Sequence, residues 1–369
     1  MDCGYWQAGR CRSCTLIETP YAHQLAQKDA AAREALGAVP AQVWHSPTAS
    51  APAHFRNKAK LVIGGEPGAV TVGILDGQQQ GVDLRDCPLH EPGLREAIHT
   101  TADLIDDLRL IPYDIPARRG ELKYALLTFS PDAELMVRFV LRTRHHVERI
   151  EESLPRIQEA LPGARVVSIN LHPEHKAVLE GDAEMVLTAQ QTLPMRVNDV
   201  TLHLGVRSFF QTNTEVAAAL YRTAREWTGD LEPATVADLY CGIGGFAHHL
   251  AGPGRVVTGV EISADAVAAA RLTPTPHEVR FIAGDATAYL MDSPAPDLVV
   301  VNPPRRGIGS LAEDLESSGT GHVLYSSCNA TSLAADLEAM SSLRPVRARL
   351  FDMFPQTTHS EILVLLERR

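Results

Sequence analysis

The chain has no run of about 18 consecutive apolar residues and no apolar core near its start, so neither a membrane-spanning helix nor a secretory leader is expected. A cytoplasmic location, with no membrane partner, follows as the expectation. Cysteines number only six, and in a reducing compartment clustered cysteines mark metal binding or catalysis more often than disulfides. Lysine is absent after residue 206, and residues 206–369 hold 13 arginines against 19 acidic residues. The formal net charge of −11 argues against a generic nucleic-acid coat. Residues 1–60 nevertheless hold seven Lys/Arg against four Asp/Glu, and residues 115–146 hold six against three. Such a face is compatible with RNA, but charge alone favours an ordinary solvated face. No internal repeat is present, and nothing in the sequence calls for an obligate protein partner.

A length of 369 residues exceeds what one core usually serves, so two domains are expected. Residues 21–37 have helical composition ending at a glycine, residues 55–90 read as strands and turns, and residues 91–110 as a helix. Residues 123–142 read as a hairpin turning at Ser130-Pro131-Asp132. A helix over 147–161 and strands in ARVVSINLH, HKAVLEG and EMVLTA follow. After about residue 205 the pattern changes: a helix over 213–228 precedes short apolar strands alternating with helices. That alternation predicts a doubly wound, mainly parallel, Rossmann-like α/β sheet behind a β-rich region, with the break between 1–205 and 206–369.

VADLYCGIGGF (236–246) has the order strand, Gly-rich turn, helix, in which Gly242 lets the backbone approach a ligand closely. The next strand ends at Glu261, about 20 residues on, where an acid accepts hydrogen bonds from ribose hydroxyls. The third strand ends in AGDA, placing Asp285 where an adenine would lie. NAD and S-adenosylmethionine (SAM) both fit so far. The fourth strand separates them: Asn302-Pro303-Pro304 is similar to the NPP or DPP motif of SAM-dependent methyltransferases. Arg305 and Arg306 follow in place of the aromatic residue usual in amino-methylating enzymes, which points away from amino-group methylation.

Cys328, in VLYSSCNATS, ends an apolar strand beside Ser326, Ser327 and Asn329. A buried free cysteine is often only packing, but the carboxyl end of a strand in the same layer as the cofactor motifs suits a nucleophile. C5 of uracil is a poor nucleophile unaided. A thiolate that adds to C6 makes C5 an enolate carbon, and a base must later remove the C5 proton. Glu361, before the apolar run ILVLL, can be that base or a surface carboxylate.

SFFQTN (208–213), DLYCGIGGF, NPPRRG, SSCN and DMFPQTTHSE resemble, in order, the motifs of the RNA uridine-C5 methyltransferase family. The resemblance implies Cys328 as nucleophile and Glu361 as general base, with Gln211, Tyr240, Glu261 and Asn302 contacting SAM. Gly242 and Asp285 join them from the fold reasoning alone. Ala330 stands where many members have proline.

With Cys328 assigned and Cys241 expected to pack in the Gly-rich turn, Cys3, Cys11, Cys14 and Cys87 remain. Four thiolates suit a [4Fe–4S] cluster or structural zinc. Only one Cys-x2-Cys knuckle is present, and Cys87-Pro88 is similar to the Cys-Pro that ends many iron–sulfur patterns. The subgroup of the family that modifies 23S rRNA resembles this chain at all four cysteines, and the resemblance implies that they ligate [4Fe–4S]. FRNKAKLVIGG (55–65) and RRGELKYALL (118–127) also resemble the family's central domain. Cys3 lies so near the start that no β-barrel TRAM domain is expected before the cluster, as in the short 23S rRNA type. By this resemblance residues 1–205 are an iron–sulfur and RNA-binding region, residues 206–369 a SAM-dependent methyltransferase domain, and the partner is 23S rRNA.

Overall fold

The computed structural model describes residues 1–176 and 178–369. They form two compact units, and the chain passes between them more than once. One unit comprises Met1–Cys14 and Ala53–Met195, and the other comprises Thr15–Pro52 and Arg196–Arg369. The break expected at residue 205 therefore does not follow the units, because residues 15–52 pack with the C-terminal half. Among the described residues no helix is long and apolar enough to cross a membrane.

The first unit is built on β1 (Lys58–Glu66), β2 (Ala69–Leu75), β3 (Gly81–Asp83), β4 (Leu122–Phe129), β5 (Leu135–Leu141), β6 (Ala164–Leu171) and β7 (Ala183–Val186). They make one sheet in the order β3-β2-β1-β4-β5-β6-β7, antiparallel except for β5 with β6. Every residue of β5 is buried, as befits a strand covered on both faces. Its one charge, Arg138, is neutralised by Glu180 and Glu184. Helix Pro92–Asp107 covers one face of the sheet. Proline opens it, and Leu94, Ala97, Ile98, Thr101, Ala102, Leu104 and Ile105 form its buried stripe. The region is thus a helix-covered sheet, more than the β-rich pattern alone implied. The helix expected over 147–161 is two short ones, Val147–Glu152 and Leu154–Ala160, the second carrying Pro155 in its first turn. Of the strand expected in HKAVLEG, Ala177 lies outside the described residues and the rest is not strand. Among the described residues, β8 (Thr192–Val197) and β9 (Val200–Gly205) form a separate two-stranded sheet.

The second unit contains β10 (Thr235–Leu239), β11 (Val256–Glu261), β12 (Glu278–Ala283), β13 (Leu298–Val301), β14 (His322–Ser327), β15 (Leu343–Phe351) and β16 (Glu361–Arg368). The order β12-β11-β10-β13-β14-β16-β15 reverses at β10, as expected for a doubly wound sheet. β10 to β14 are parallel, and β16 runs antiparallel between β14 and β15. The predicted helix after residue 213 is Thr214–Gly229. The Asn213 side chain caps it by accepting from the Val216 N–H at 3.2 Å.

Helix Tyr21–Ala35 belongs to this unit, and its anchors are polar. Lys28, only 5% exposed, reaches Asp352, which is wholly buried, at 2.6 Å, and donates to the Phe354 carbonyl at 3.0 Å. Gln24 donates to Leu16 O, Thr19 O and Gln356 Oε1, and the Gln356 N–H donates back to Gln24 Oε1 at 3.0 Å. Gln356 also donates to Pro52 O and holds a left-handed backbone at φ 69°. The segment before Glu361 is therefore gripped from residues 16–52.

Removing one member of a buried ion pair strands the other charge, at a cost of about 3–5 kcal/mol, whereas replacing both by apolar groups is often close to neutral. Lys28→Met should accordingly lower the urea midpoint of unfolding well below that of the Lys28→Met/Asp352→Leu double variant. A double variant no better than the single one would show that the pair does not hold this helix.

Candidate active site and cysteine cavity

The carboxyl ends of β10 to β14 meet around a cavity of about 660 Å³, within the range of small-molecule sites. The loop after each strand supplies lining residues: Tyr240, Cys241 and Gly242 after β10, Asp285 after β12, Asn302 after β13 and Cys328 after β14, while Glu261 is the last residue of β11 itself. Gln211, ahead of helix Thr214–Gly229, and Glu361, the first residue of β16, complete the lining. The structure thus brings together all eight residues singled out in the C-terminal half. Glu361 reaches this edge because β16 runs antiparallel, so that it starts where the parallel strands end.

The Gly-rich turn is tightly held. Tyr240, Gly242 and Gly244 have φ of 63°, 54° and 82°. A side chain at Gly244 would run into Phe281 and His248, whereas one at Gly242 would meet nothing within 4 Å. Glu261 accepts from the Gly242 N–H at 3.1 Å and from the Ser263 N–H at 2.9 Å, which fixes its carboxylate beside the turn. Asp285 also caps helix Ala286–Asp292, by accepting from the Ala288 N–H at 2.9 Å. Cys241 is buried in the turn, as expected.

Cys328 and Glu361 face each other across the sheet. The β14–β16 ladder pairs Ser326 with Leu363 and Ser327 with Ile362, so the next register position sets Cys328 opposite Glu361. Glu361 is 2% exposed, not the surface carboxylate that the sequence also allowed. Burial pushes its pKa up to about 7, against the pull of the Ser326 hydroxyl, which donates to Oε1 at 2.5 Å. Burial also raises the half-buried Cys328 thiol. Glu361 adds to that shift, and Arg305 opposes it. The Arg305 carbonyl accepts from Asn329 Nδ2 and Ser332 Oγ, both at 3.0 Å, which ties the NPPRR loop to the cysteine loop.

Sequence reasoning missed two supports. Ser326 was read only as a polar neighbour of Cys328. Asp238, wholly buried in β10, accepts from the Ala247 N–H at 2.8 Å and so pins helix Gly245–Leu250 to the strand. Its signal was an acid inside an apolar strand. Burial raises its pKa to about 7.

The first unit brings the other four cysteines together: Cys3, Cys11, Cys14 and Cys87 line one small cavity with Tyr5, Trp6 and Pro88. Burial and the other three cysteines push the Cys14 thiol up to about 12. The Asp86 N–H donates to the Tyr5 hydroxyl at 3.1 Å, joining the N-terminal segment to the turn that carries Cys87. Among the described residues no group of three or more His, Cys, Asp or Glu is arranged to hold a metal ion.

A family model described as tRNA (Uracil-5-)-methyltransferase matches residues 287–369, and one described as Methyltransferase small domain matches residues 222–317. The 23S rRNA (uracil(747)-C(5))-methyltransferase RlmC of Halothiobacillus neapolitanus is 44% identical to this chain over 379 aligned residues, covering 100% of both. The chain belongs to the RlmC family of 23S rRNA (uracil(747)-C(5))-methyltransferases. The family's protein from Yersinia pseudotuberculosis is 43% identical over 375 aligned residues, again covering 100% of both chains. Among solved structures, the Pyrococcus abyssi tRNA (uracil-54, C5)-methyltransferase in complex with S-adenosyl-L-homocysteine matches with a TM-score of 0.81 and 25% identity, covering 96% of this chain and 85% of that one.

A folded-state pKa above the unfolded value means that folding favours the protonated acid. The stabilising contribution of Glu361 is therefore complete below the ordinary carboxylate range and is lost as the pH rises through about 7. The infrared C=O band absent from Glu361→Gln should accordingly disappear near pH 7 in the unmodified protein. In Ser326→Ala it should disappear at higher pH, because the lost hydrogen bond favoured the ionised form. Loss of the band near pH 4 would show that Glu361 is solvated.

Proposed function

We propose that this chain methylates C5 of uridine 747 in 23S rRNA, with SAM as methyl donor and a covalent bond between Cys328 and C6 of the base. The observation that carries the proposal is Cys328 opposite a buried Glu361 in the cavity that also gathers the motifs of a SAM site. The open space at Gly242 and the fixed carboxylate of Glu261 suit a cofactor lying along the turn. Gln211, Tyr240, Gly242, Glu261, Asp285 and Asn302 would hold it. When bound, SAM offers a methyl group on a cationic sulfur.

The chain's own residues do the rest. Burial and Glu361 keep the Cys328 thiol neutral in the free enzyme, while Arg305 favours the thiolate. The thiol loses its proton to solvent, the thiolate adds to C6, the electron pair moves to C5, and C5 takes the methyl group as its bond to the cationic sulfur breaks and leaves a neutral thioether. Ionised Glu361 then removes the C5 proton, and the electrons left behind expel the thiolate. A carboxyl group that titrates near 7 is suited to taking that proton at neutral pH. The target base would be flipped out of its RNA surroundings to reach the cavity. RNA contact is assigned to the unit of Met1–Cys14 and Ala53–Met195, and the methyl transfer to the other. The proposed location is the cytoplasm.

Cys3, Cys11, Cys14 and Cys87 are proposed to hold a [4Fe–4S] cluster. The donor set supports the reading: four thiols line one cavity. The cluster's contribution would be to folding, because the methyl transfer is polar and the thiol leaves unchanged.

Mapping the methylated nucleotide on 23S rRNA from cells with and without the gene tests the activity, and an unchanged uridine 747 would refute it. Cys328→Ala should abolish methylation while SAM binding survives. Glu361→Gln should slow turnover by about 10²–10⁴-fold and leave a protein–RNA adduct visible on a denaturing gel. Fast turnover without adduct would exclude this base. Cys14→Ser or Cys87→Ser should give poorly soluble protein with weak rRNA binding. Chemical reduction of an intact cluster should leave the methylation rate nearly unchanged, and a rate that follows the cluster's oxidation state would overturn the structural role.

A further inference from the structure

The first unit contains a second cavity, of about 150 Å³, that none of the chemistry above uses. Val62 and Ile115 contribute apolar wall, and Tyr113 and Tyr124 contribute rings. Lys123, from β4, is only 5% exposed. Its ammonium lies 4.9 Å from the centre of the Tyr113 ring and donates to the Glu174 carbonyl at 2.6 Å. The Tyr113 hydroxyl is hydrogen-bonded to Nδ1 of His175, an exposed residue of the lining, at 3.0 Å.

An ammonium has three donors, and this one has a single hydrogen-bond acceptor among the described residues. Burial without enough acceptors is costly, and it pulls the Lys123 pKa down to about 8. A ligand bringing carbonyl oxygens would relieve that cost. A cavity of about 150 Å³ is the size that takes one six-membered ring. Aromatic walls suit stacking with a nucleobase, the usual way that unpaired RNA bases are held. The surrounding stretch 115–146 is also locally basic, with six Lys/Arg against three Asp/Glu.

We infer that this cavity binds one unstacked pyrimidine of the rRNA substrate, distinct from the uridine that is methylated, with the base against the tyrosine rings and a ring carbonyl on Lys123. The inference rests on the rRNA reading above and adds a specificity determinant to it.

The test combines full-length Lys123→Met and Tyr124→Ala with rRNA fragments in which each pyrimidine near the target is made abasic in turn. Each variant should raise KM for the intact fragment ~10-fold, the scale of one lost base–aromatic stack, with kcat and SAM affinity unchanged. One abasic position should cause a similar loss with the unmodified enzyme and none with Tyr124→Ala. Lys123→Met removes a buried charge without stranding a partner charge. Should it nonetheless unfold, the half-buried Tyr124 carries the test. Unchanged KM in folded variants, or abasic losses equal in both backgrounds, would overturn the inference. Uridine 5′-monophosphate binding that Lys123→Met abolishes, without any change in KM for RNA, would give the cavity to a free nucleotide and also overturn it. An unmodified enzyme that methylates no fragment would instead overturn the rRNA reading, and this inference with it.

Discussion

The β14–β16 ladder is the constraint on which the meeting of Cys328 and Glu361 depends. Five parallel strands deliver loops to one edge of the sheet, but a second reactive group opposite Cys328 requires a strand that starts at that edge. β16 meets the requirement only by running antiparallel, and its register sets Glu361 across from Cys328. Burial then acts on both groups in the same direction. It raises the carboxyl to about 7 and the thiol above its ordinary value, so the cavity minimises its own negative charge. The Ser326 hydroxyl works against this on Glu361, and Arg305 works against it on Cys328.

The C-terminal half of the chain was legible because parallel strands buried on both faces read as short apolar runs, and the ligand-facing turns come directly after them. LVVV and HVLYSS show this directly, as does Cys328 at the end of the second. The burial of Glu361 was not legible, since a carboxylate before an apolar run reads the same whether it is solvated or sealed. Neither was the grouping of residues 15–52 with the C-terminal half. Helix Tyr21–Ala35 shows ordinary helical composition, and what claims it is Asp352, 324 residues away from Lys28. Asp238 stands out as an acid inside an apolar strand, but the partner of such a lone charge, like that of Lys123, shows only once the chain is folded.

The N-terminal fourteen residues contrast with this. The helix Gly4–Gln7 buries none of its side chains, and its contacts run through Cys3, Tyr5 and Trp6 toward the turn around Cys87. Apolar burial alone gives this segment little reason to stay in place. The six cysteines thus divide three ways: Cys328 lines the cavity at the carboxyl ends of the strands, Cys241 packs in the Gly-rich turn and four gather at one cavity of the first unit.

The passage of the chain from one unit to the other and back affects the order of synthesis. The last residue of the first unit, Met195, leaves the ribosome long before Asp352, Gln356 and Glu361 exist. That unit can close co-translationally around a completed β-sheet. Helix Tyr21–Ala35 cannot, because the carboxylate that accepts Lys28 is made 324 residues later. Its closure is a contact of very high sequence separation, the kind that slows folding most. Until Asp352 is made, the nascent protein displays a helical segment without its native partner, and a chaperone that binds such segments would find residues 15–52 available.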